Sequence, residues 1–425
     1  MKWSVFIPPM IAILFWGSPH ADAEDPPFLE PAEDISLAQC LDWAARENPG
    51  LKALGFEIRA HEGWVEQAGF SPNPELGFEA ENFLGTGDFQ GVEGLEATIQ
   101  VSQLIELGGK RIRRIQVAEA EREQARAAYE QARLDVLYET GAAFLSVLAA
   151  QERLRVFEEF HELSRRVHET IQATVEAGRD SPVEEIRARV TMASAQIGLE
   201  RALRELNQAR LALVKNWGSH APVFTRAVGD IYQFPGVSSL EELRRKLPST
   251  PDWAAAEAEI ARRQANAALE EAQAVPDLEV SVGTRYLAES DDGALVMGFT
   301  LPLPLRNRNQ GAVRAARELV RQAKAARRAA ENNWRSDLAI VYETWRQAHG
   351  EAARLRDAVL PGAEEAFAAT QEGFRQGKFP YLSVLDAQRS LIELREQLLQ
   401  AALEAHLAFN RLSRLTADDG IRKEQ

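Results

Sequence analysis

The sequence predicts a mainly α-helical fold with a small β portion, built from one unit that occurs twice. Two observations support this prediction. Each half of the 425-residue chain contains a run of about 65 residues rich in Ala, Glu, Arg, Gln and Leu, which are strong helix formers. In each half, two segments of alternating apolar and polar residues precede this run. Both halves therefore show the same order of helix, strand, strand, long helix and helix.

The duplication is visible as paired motifs about 200 residues apart. The motif "PNPELGFEAEN" from Pro72 is matched by "AVPDLEVSVGT" from Ala274, and "EAGRDSPVEEIRARV" from Glu176 is matched by "RQGKFPYLSVLDAQRSL" from Arg375. The boundaries that follow are 24–35 for an N-terminal extension, 36–228 for the first repeat, 229–238 for a linker, 239–416 for the second repeat and 417–425 for a C-terminal tail.

Residues 1–23 have the pattern of a secretory signal peptide. A basic start is followed by an apolar run over residues 5–16 and by a small-x-small motif that ends at Ala23. Pro8 and Pro9 interrupt the apolar run, which falls short of the roughly twenty apolar residues that a membrane anchor needs. We therefore expect this segment to be cleaved after export from the cytoplasm.

Composition and charge exclude several classes of function. The net charge of −15 argues against a nucleic-acid partner, since phosphate binding needs a basic surface. The only cysteine, Cys40, excludes an internal disulfide, and a buried helical thiol is expected there rather than a lipid-modified residue. Metal-ligand spacing is lacking among His61, His161, His168, His220, His349 and His406. No catalytic or cofactor motif occurs, so neither an enzyme nor a cofactor nor a bound metal is predicted.

Four strands are predicted from strict alternation, at about 75–83, 94–104, 277–287 and 294–305. A strand of ten residues tilted by about 40° rises about 25 Å, which is the height of a lipid-facing band. A half-buried sheet in a soluble protein has the same alternation, so this pattern alone leaves both interpretations open.

The two long helices are predicted from Lys110 to about Thr174 and from about Gln310 to Gly373. At 1.5 Å per residue each is about 100 Å long, whereas a compact globule of this size has a radius of gyration of about 22 Å. They must therefore form a rod or tube. A coiled-coil seam is predicted at Trp334, Leu338, Val341, Trp345, Ala348, Ala352, Leu355 and Val359. Pro361 is expected to kink or break the second helix.

Four shorter helices, each near 35 residues, are predicted at about 36–70, 182–217, 239–274 and 380–416. Two of them placed end to end match one long helix in length. Four strands cannot close a barrel, and an open sheet leaves two edges that a bilayer cannot satisfy. Several chains must therefore pool their strands if the sheet enters a membrane.

The chain resembles the TolC-type outer-membrane efflux proteins over essentially its whole mature length. The motifs that carry the resemblance are "QLIELGGKR" after the second strand, "LPLPLRNRNQGAV" after the fourth, and the turns "EAGRDSPVEEIRARV" and "GKFPYLSVLDAQRSL". The first two, with "SPVEE", are most similar to the CzcC-like branch, the outer-membrane partners of heavy-metal RND pumps.

The resemblance implies a homotrimer in the outer membrane of a Gram-negative bacterium. Its 12-stranded barrel would be continuous with a 12-helix α-barrel tunnel through the periplasm. The implied partners are outer-membrane lipid, a periplasmic membrane-fusion adaptor and an inner-membrane RND pump. The implied function is passive conduction, with heavy-metal cations as the expected substrates. A duct for drug efflux or type I protein secretion, and a soluble periplasmic coiled-coil scaffold, are the alternatives.

Three groups of residues are candidates for function. The passages from strand to helix are assigned to Gly108, Gly109, Pro302, Pro304, Asn307 and Asn309, where prolines end the strand and an asparagine can cap the helix. The adaptor-docking turns are assigned to Gly178, Ser181, Pro182, Glu184, Glu185, Gly377, Pro380 and Tyr381. The resemblance assigns the periplasmic gate to Asp386, and Ser383 stands where some relatives have a further aspartate.

Overall fold

The computed structural model describes residues 32–179 and 181–418. The predicted signal peptide, most of the N-terminal extension and most of the C-terminal tail lie outside the described residues. The first repeat contains α1 (Leu37–Glu47), α2 (Pro49–Gly69), β1 (Glu75–Glu81), β2 (Glu96–Ile105), α3 (Lys110–Glu176) and α4 (Pro182–Val214). The second contains α5 (Leu240–Lys246), α6 (Pro251–Gln273), β3 (Leu278–Leu287), β4 (Asp292–Thr300), α7 (Gln310–Arg354), a π-helical segment (Leu355–Val359), α8 (Leu360–Arg375) and α9 (Tyr381–Thr416).

The first predicted short helix in each repeat is in fact two helices. The continuous helices expected at 36–70 and 239–274 were wrong, because each contains a proline that begins a new helix. The Asn48 side chain accepts a hydrogen bond from the Leu51 amide at 3.1 Å before Pro49. Thr250 accepts one from the Trp253 amide at 3.4 Å before Pro251. Each proline occupies the first helical position, where its missing amide hydrogen costs nothing.

The long helix of the first repeat, α3, runs unbroken for 67 residues. The second repeat accommodates Pro361 differently. Proline has no amide hydrogen to donate to the carbonyl four residues earlier. The five residues immediately before α8, Leu355–Val359, adopt π-helical geometry. In this geometry the Leu360 amide donates to the Leu355 carbonyl, five residues earlier. The rod neither ends nor breaks at the proline.

The π-helical segment explains where the predicted seam ends. Leu338, Ala352 and Leu355 are buried as expected, but Val359 is 42% exposed. A π-helical turn contains more residues than an α-helical turn, so the residues after it lie at a different angle around the helix axis. Val359 therefore leaves the buried face that residues up to Leu355 share.

The sheet is antiparallel with the order β1-β2-β3-β4. The helices joined to these strands, α2, α3, α6 and α7, pack against one another in the same order. The chain therefore contains four units in each of which a strand and a helix are joined end to end. None of the helices in the described ranges is long and apolar enough to cross a membrane.

In the middle of the rod, the last residue of the N-terminal extension contacts the end of the first repeat. Ile35 forms a parallel bridge with Ala227, and the Gln151 side chain of α3 both donates to the Ala227 carbonyl and accepts from its amide, each at 2.9 Å. A cluster that includes Cys40 and Phe144, both fully buried, packs beside this contact. The buried helical thiol predicted at Cys40 is confirmed.

Candidate functional site

The passage from β2 to α3 turns through two glycines in the left-handed region. Gly108 has φ +68° and Gly109 has φ +72°. A Cβ atom at Gly108 would lie 2.8 Å from the Val275 Cβ and 3.0 Å from the Ala272 carbonyl oxygen. Any larger residue would therefore force the end of α6 away from this bend.

The passage from β4 to α7 ends its strand earlier than predicted. The strand expected to reach residue 305 stops at Thr300, because Pro302 and Pro304 have no amide hydrogen to donate to a neighbouring strand. Asn309 occupies the N-cap position with φ +57°, and Asn307 accepts a hydrogen bond from its amide at 3.0 Å.

The prediction that an asparagine side chain caps α7 was wrong. The Asn309 amide group donates instead to the carbonyl and carboxylate of Glu270, at 2.9 and 2.6 Å. The side chain thus ties the start of α7 to the end of α6. This contact joins residues 39 positions apart, and local sequence pattern could not reveal it.

At the opposite end of the rod, the two predicted turns have the same geometry. Gly178 (φ +70°) and Gly377 (φ +71°) each end a long helix in the left-handed conformation. In both turns the residue after the glycine donates its amide to the carbonyl five residues before it, as Arg179 does to Thr174 and Lys378 does to Gly373. This is the Schellman arrangement, which satisfies the last free carbonyls of a helix.

The first residues of α4 and α9 meet at this tip. Ser181 caps α4 by accepting from the Val183 amide at 3.3 Å. Tyr381, 3% exposed, packs in a cluster formed by α3, α4, α8 and α9. Burial, with a smaller effect from the Glu184 carboxylate, raises the pKa of Tyr381 to about 12. The Glu184 Oε1 atom accepts from Arg187 at 3.3 Å. The two turns are therefore one packed unit.

The two candidate gate residues lie in the first two turns of α9. Asp386 is exposed and Ser383 is half-buried, three positions earlier. Within residues 32–179 and 181–418, neither side chain forms an ion pair or hydrogen bond. The structure thus leaves the Asp386 carboxylate available to solvent at the tip.

The two faces of the sheet differ sharply in character. The strand register places one set of side chains on an apolar face, namely Leu76, Phe78, Ala80, Ala97, Ile99, Val101, Gln103, Ile105, Leu278, Val280, Val282, Thr284, Tyr286, Gly293, Leu295, Met297 and Phe299. This face of the four strands contains no charged residue, and Phe299 is 81% exposed. A large exposed apolar surface requires a partner surface or lipid.

The opposite, polar face carries six carboxylates and one arginine. The carboxylates are Glu75, Glu79, Glu81, Glu96, Glu279 and Asp292. Arg285 donates to the Glu96 carboxylate at 2.8 Å and to the Thr98 hydroxyl at 2.9 Å, and it lies 3.7 Å from Glu81. Our sequence analysis missed this cluster, although a lone arginine at a polar position of β3, among strands rich in glutamate, was a visible signal.

The described residues contain no group of three or more His, Cys, Asp or Glu side chains arranged to hold a metal ion. His406 lies in the middle of the rod, where its Nε2 is 3.0 Å from the Ile231 carbonyl. Burial lowers the pKa of His406. This histidine therefore packs in the core as a neutral side chain.

Rods of this length, joined to a small sheet with one apolar and one polar face, define a subunit of a membrane conduit. Residues 41–219 and 243–418 match the family described as "Outer membrane efflux protein". The chain belongs to this family. It is an outer-membrane protein of a Gram-negative bacterium, with its helical rod in the periplasm.

Two relatives have sequences similar to this chain over long stretches. The chain is 34% identical to the cobalt-zinc-cadmium resistance protein CzcC of Cupriavidus metallidurans, over 97% of this chain and 99% of the relative. It is 27% identical to the nickel-cobalt-cadmium resistance protein NccC of Alcaligenes xylosoxydans xylosoxydans, over 74% and 69% of the two chains.

Solved structures show the same fold at lower identity. CusC, described in connection with transmembrane channel formation, superposes with a TM-score of 0.76 at 16% identity, over 90% of this chain and 92% of that one. The outer membrane protein VceC of Vibrio cholerae superposes with a TM-score of 0.71 at 18% identity, over 89% and 95%. The mainly helical, TolC-like fold predicted from the sequence is confirmed.

Proposed function

We propose that three copies of this chain form a passive duct, with the repeats at 36–228 and 239–416 as its alternating walls. Twelve strands would close a barrel in the outer membrane, and the twelve helices joined to them would continue it through the periplasm. The open edges support this proposal. β1 and β4 each have only one partner strand within the described chain, and unpaired strand edges are costly in a bilayer.

The polar face of the sheet supports cations as the conducted substrate. With the apolar face toward lipid, this face lines the passage. Six carboxylates against one arginine per chain make its potential strongly negative, which concentrates cations and repels anions. This charge imbalance is the observation on which the proposed substrate class depends.

The metals named for two relatives also support cations as the conducted substrate. Two relatives that match over long stretches are resistance proteins for cobalt, zinc, cadmium and nickel. We infer that divalent heavy-metal cations are the cargo, delivered by an inner-membrane RND pump through a periplasmic adaptor. The two packed tip turns supply the end of the rod on which the adaptor would dock.

A second candidate substrate is an exported organic molecule. The chain is 26% identical to the pyoverdine export outer membrane protein OpmQ of Pseudomonas putida, over 61% of this chain and 57% of the relative. The duct would have the same architecture in either case, so sensitivity to substrates separates the two functions.

The test is deletion of the gene followed by complementation. We expect the deletion strain to become sensitive to cobalt, zinc, cadmium or nickel and to keep its tolerance of hydrophobic drugs. The wild-type gene should restore resistance. A Glu75→Gln/Glu79→Gln/Glu279→Gln variant should restore it only partly, because three unpaired carboxylates leave the polar face. A strain sensitised only to organic compounds would contradict the proposed cargo.

A further inference from the structure

Positive charge accumulates where the strands continue into the helices. Residues 106–114 contain four cationic side chains and one carboxylate, and residues 306–317 contain four arginines and no carboxylate. The whole chain, in contrast, has a net charge of −15. The excess occurs at the equivalent place in both repeats, at the same end of the sheet.

Three carboxylates near this end of the sheet have partners among the cationic side chains. The ion pairs that occupy them are Asp277–Lys110, Glu106–Arg114 and Glu271–Arg317. Five exposed arginines remain, and we call them the arginine rim: Arg111, Arg113, Arg306, Arg308 and Arg314. Within the described part of the chain, none of the five has a carboxylate at ion-pair distance. Their guanidinium groups are therefore not engaged in ion pairs within the described chain.

Apolar surface adjoins the rim in the first repeat. A groove of about 500 Å³ opens between the residues before β1 and the junction of β2 with α3. Leu104, Ile105 and Ile112 line it, and Arg111 stands at its border. Ile112 is 59% exposed. The groove thus pairs an apolar wall with a guanidinium group that donates to the Ser71 hydroxyl at 3.1 Å and has no carboxylate partner within the described chain.

The second repeat repeats this arrangement on an extended segment. Leu303 and Leu305 are 72% and 77% exposed and directly precede Arg306. Leu303 continues the alternation of the apolar face beyond Phe299. Apolar side chains followed directly by arginine are the order expected where a protein passes from the acyl chains of a bilayer to its headgroups.

We propose that the arginine rim binds the phosphate groups of anionic phospholipids, with an acyl chain in the groove. The inference rests on the proposed placement of the sheet in the outer membrane. Guanidinium groups bind phosphate in bidentate geometry, and a cluster of them without ion-pair partners favours anionic over zwitterionic lipid. The lipids are those of the leaflet that faces the periplasm, because the rim lies at the helical end of the sheet.

The test compares lipid binding to the purified, detergent-solubilised protein by native mass spectrometry. Phosphatidylglycerol and phosphatidylcholine with identical acyl chains are the probes. We expect roughly tenfold more phosphatidylglycerol than phosphatidylcholine on the wild-type protein. The rim variant R113Q/R306Q/R314Q should lose this preference. The matched control R189Q/R201Q/R204Q, which removes three exposed arginines of α4, should keep it.

Equal binding of the two lipids by the wild-type protein would overturn the inference. So would a control variant that loses the preference as fully as the rim variant. Conductance in a phosphatidylcholine bilayer is measured separately on the same preparations. A duct that conducts but shows no lipid preference counts against the arginine rim alone, whereas absence of conductance counts against the proposed function.

Discussion

At the scale of single residues, the Asp386 carboxylate at the tip of the rod is expected to affect the block of conductance by divalent cations. Asp386 is exposed and without a protein partner among the described residues. Three copies around an axis would attract divalent cations. Asp386→Ala should raise the concentration of divalent cation that blocks conductance by roughly tenfold, equivalent to about 1.4 kcal/mol. Single-channel recording in a bilayer measures this block.

Ser383→Asp is the matched gain-of-charge variant for the same site. It adds a second carboxylate one helical turn away from Asp386, on the same helix. Block by divalent cations should therefore occur at a lower concentration than in the wild type. If Asp386→Ala leaves block unchanged, Asp386 does not belong to the gate.

A second residue-scale prediction concerns the pair of Asp252 and Arg414, which joins α6 to α9. Arg414 donates to both carboxylate oxygens of Asp252 at 2.5 and 3.1 Å, and Gln131 donates to one of them at 3.0 Å. Burial by itself raises the pKa of Asp252, but these hydrogen bonds outweigh it and leave the pKa below its ordinary value.

Because the folded state lowers this pKa, the pair stabilises the protein above pH about 4 and loses its effect as the pH falls through the lowered value. Asp252→Asn should lower the stability by about 3 kcal/mol at pH 7. The difference from wild type should shrink as the pH falls below about 4. Urea unfolding followed by circular dichroism at several pH values measures this. A difference that is constant with pH would show that the carboxylate charge does not contribute.

At the scale of elements, Pro361 makes the long helix of the second repeat differ from α3, the long helix of the first. Proline inside a helix costs roughly 3 kcal/mol, and the π-helical segment relieves only part of that cost. Pro361→Ala should therefore stabilise the protein by about 1–2 kcal/mol and bring Val359 toward the buried seam. The temperature at which the assembled protein dissociates in detergent should rise.

Pro182→Ala is the control for this prediction. Pro182 is the first residue of α4, where proline fits without cost, so its replacement should leave the dissociation temperature unchanged or lower it. If Pro361→Ala also lowers that temperature, the π-helical segment is itself stabilising and our account of Pro361 is wrong.

The elements also show what sequence could predict. The strands and the long helices follow from local periodicity, because every second or every third and fourth residue faces one side. The breaks at Pro49 and Pro251 were also readable, since a proline after Asn or Thr is a typical helix start. The contact between Asn309 and Glu270 and the network at Arg285 depend on which elements become neighbours, and local pattern carries no such information.

At the scale of the whole molecule, the central claim is that the described chain is one third of a duct. Two edge strands with a single partner each and an exposed apolar face leave the isolated chain incomplete. The direct measurement is native mass spectrometry of the mature protein extracted from outer membranes, with and without heating. We predict a trimer that converts to monomer on heating. A monomer recovered from the soluble periplasmic fraction would contradict the account.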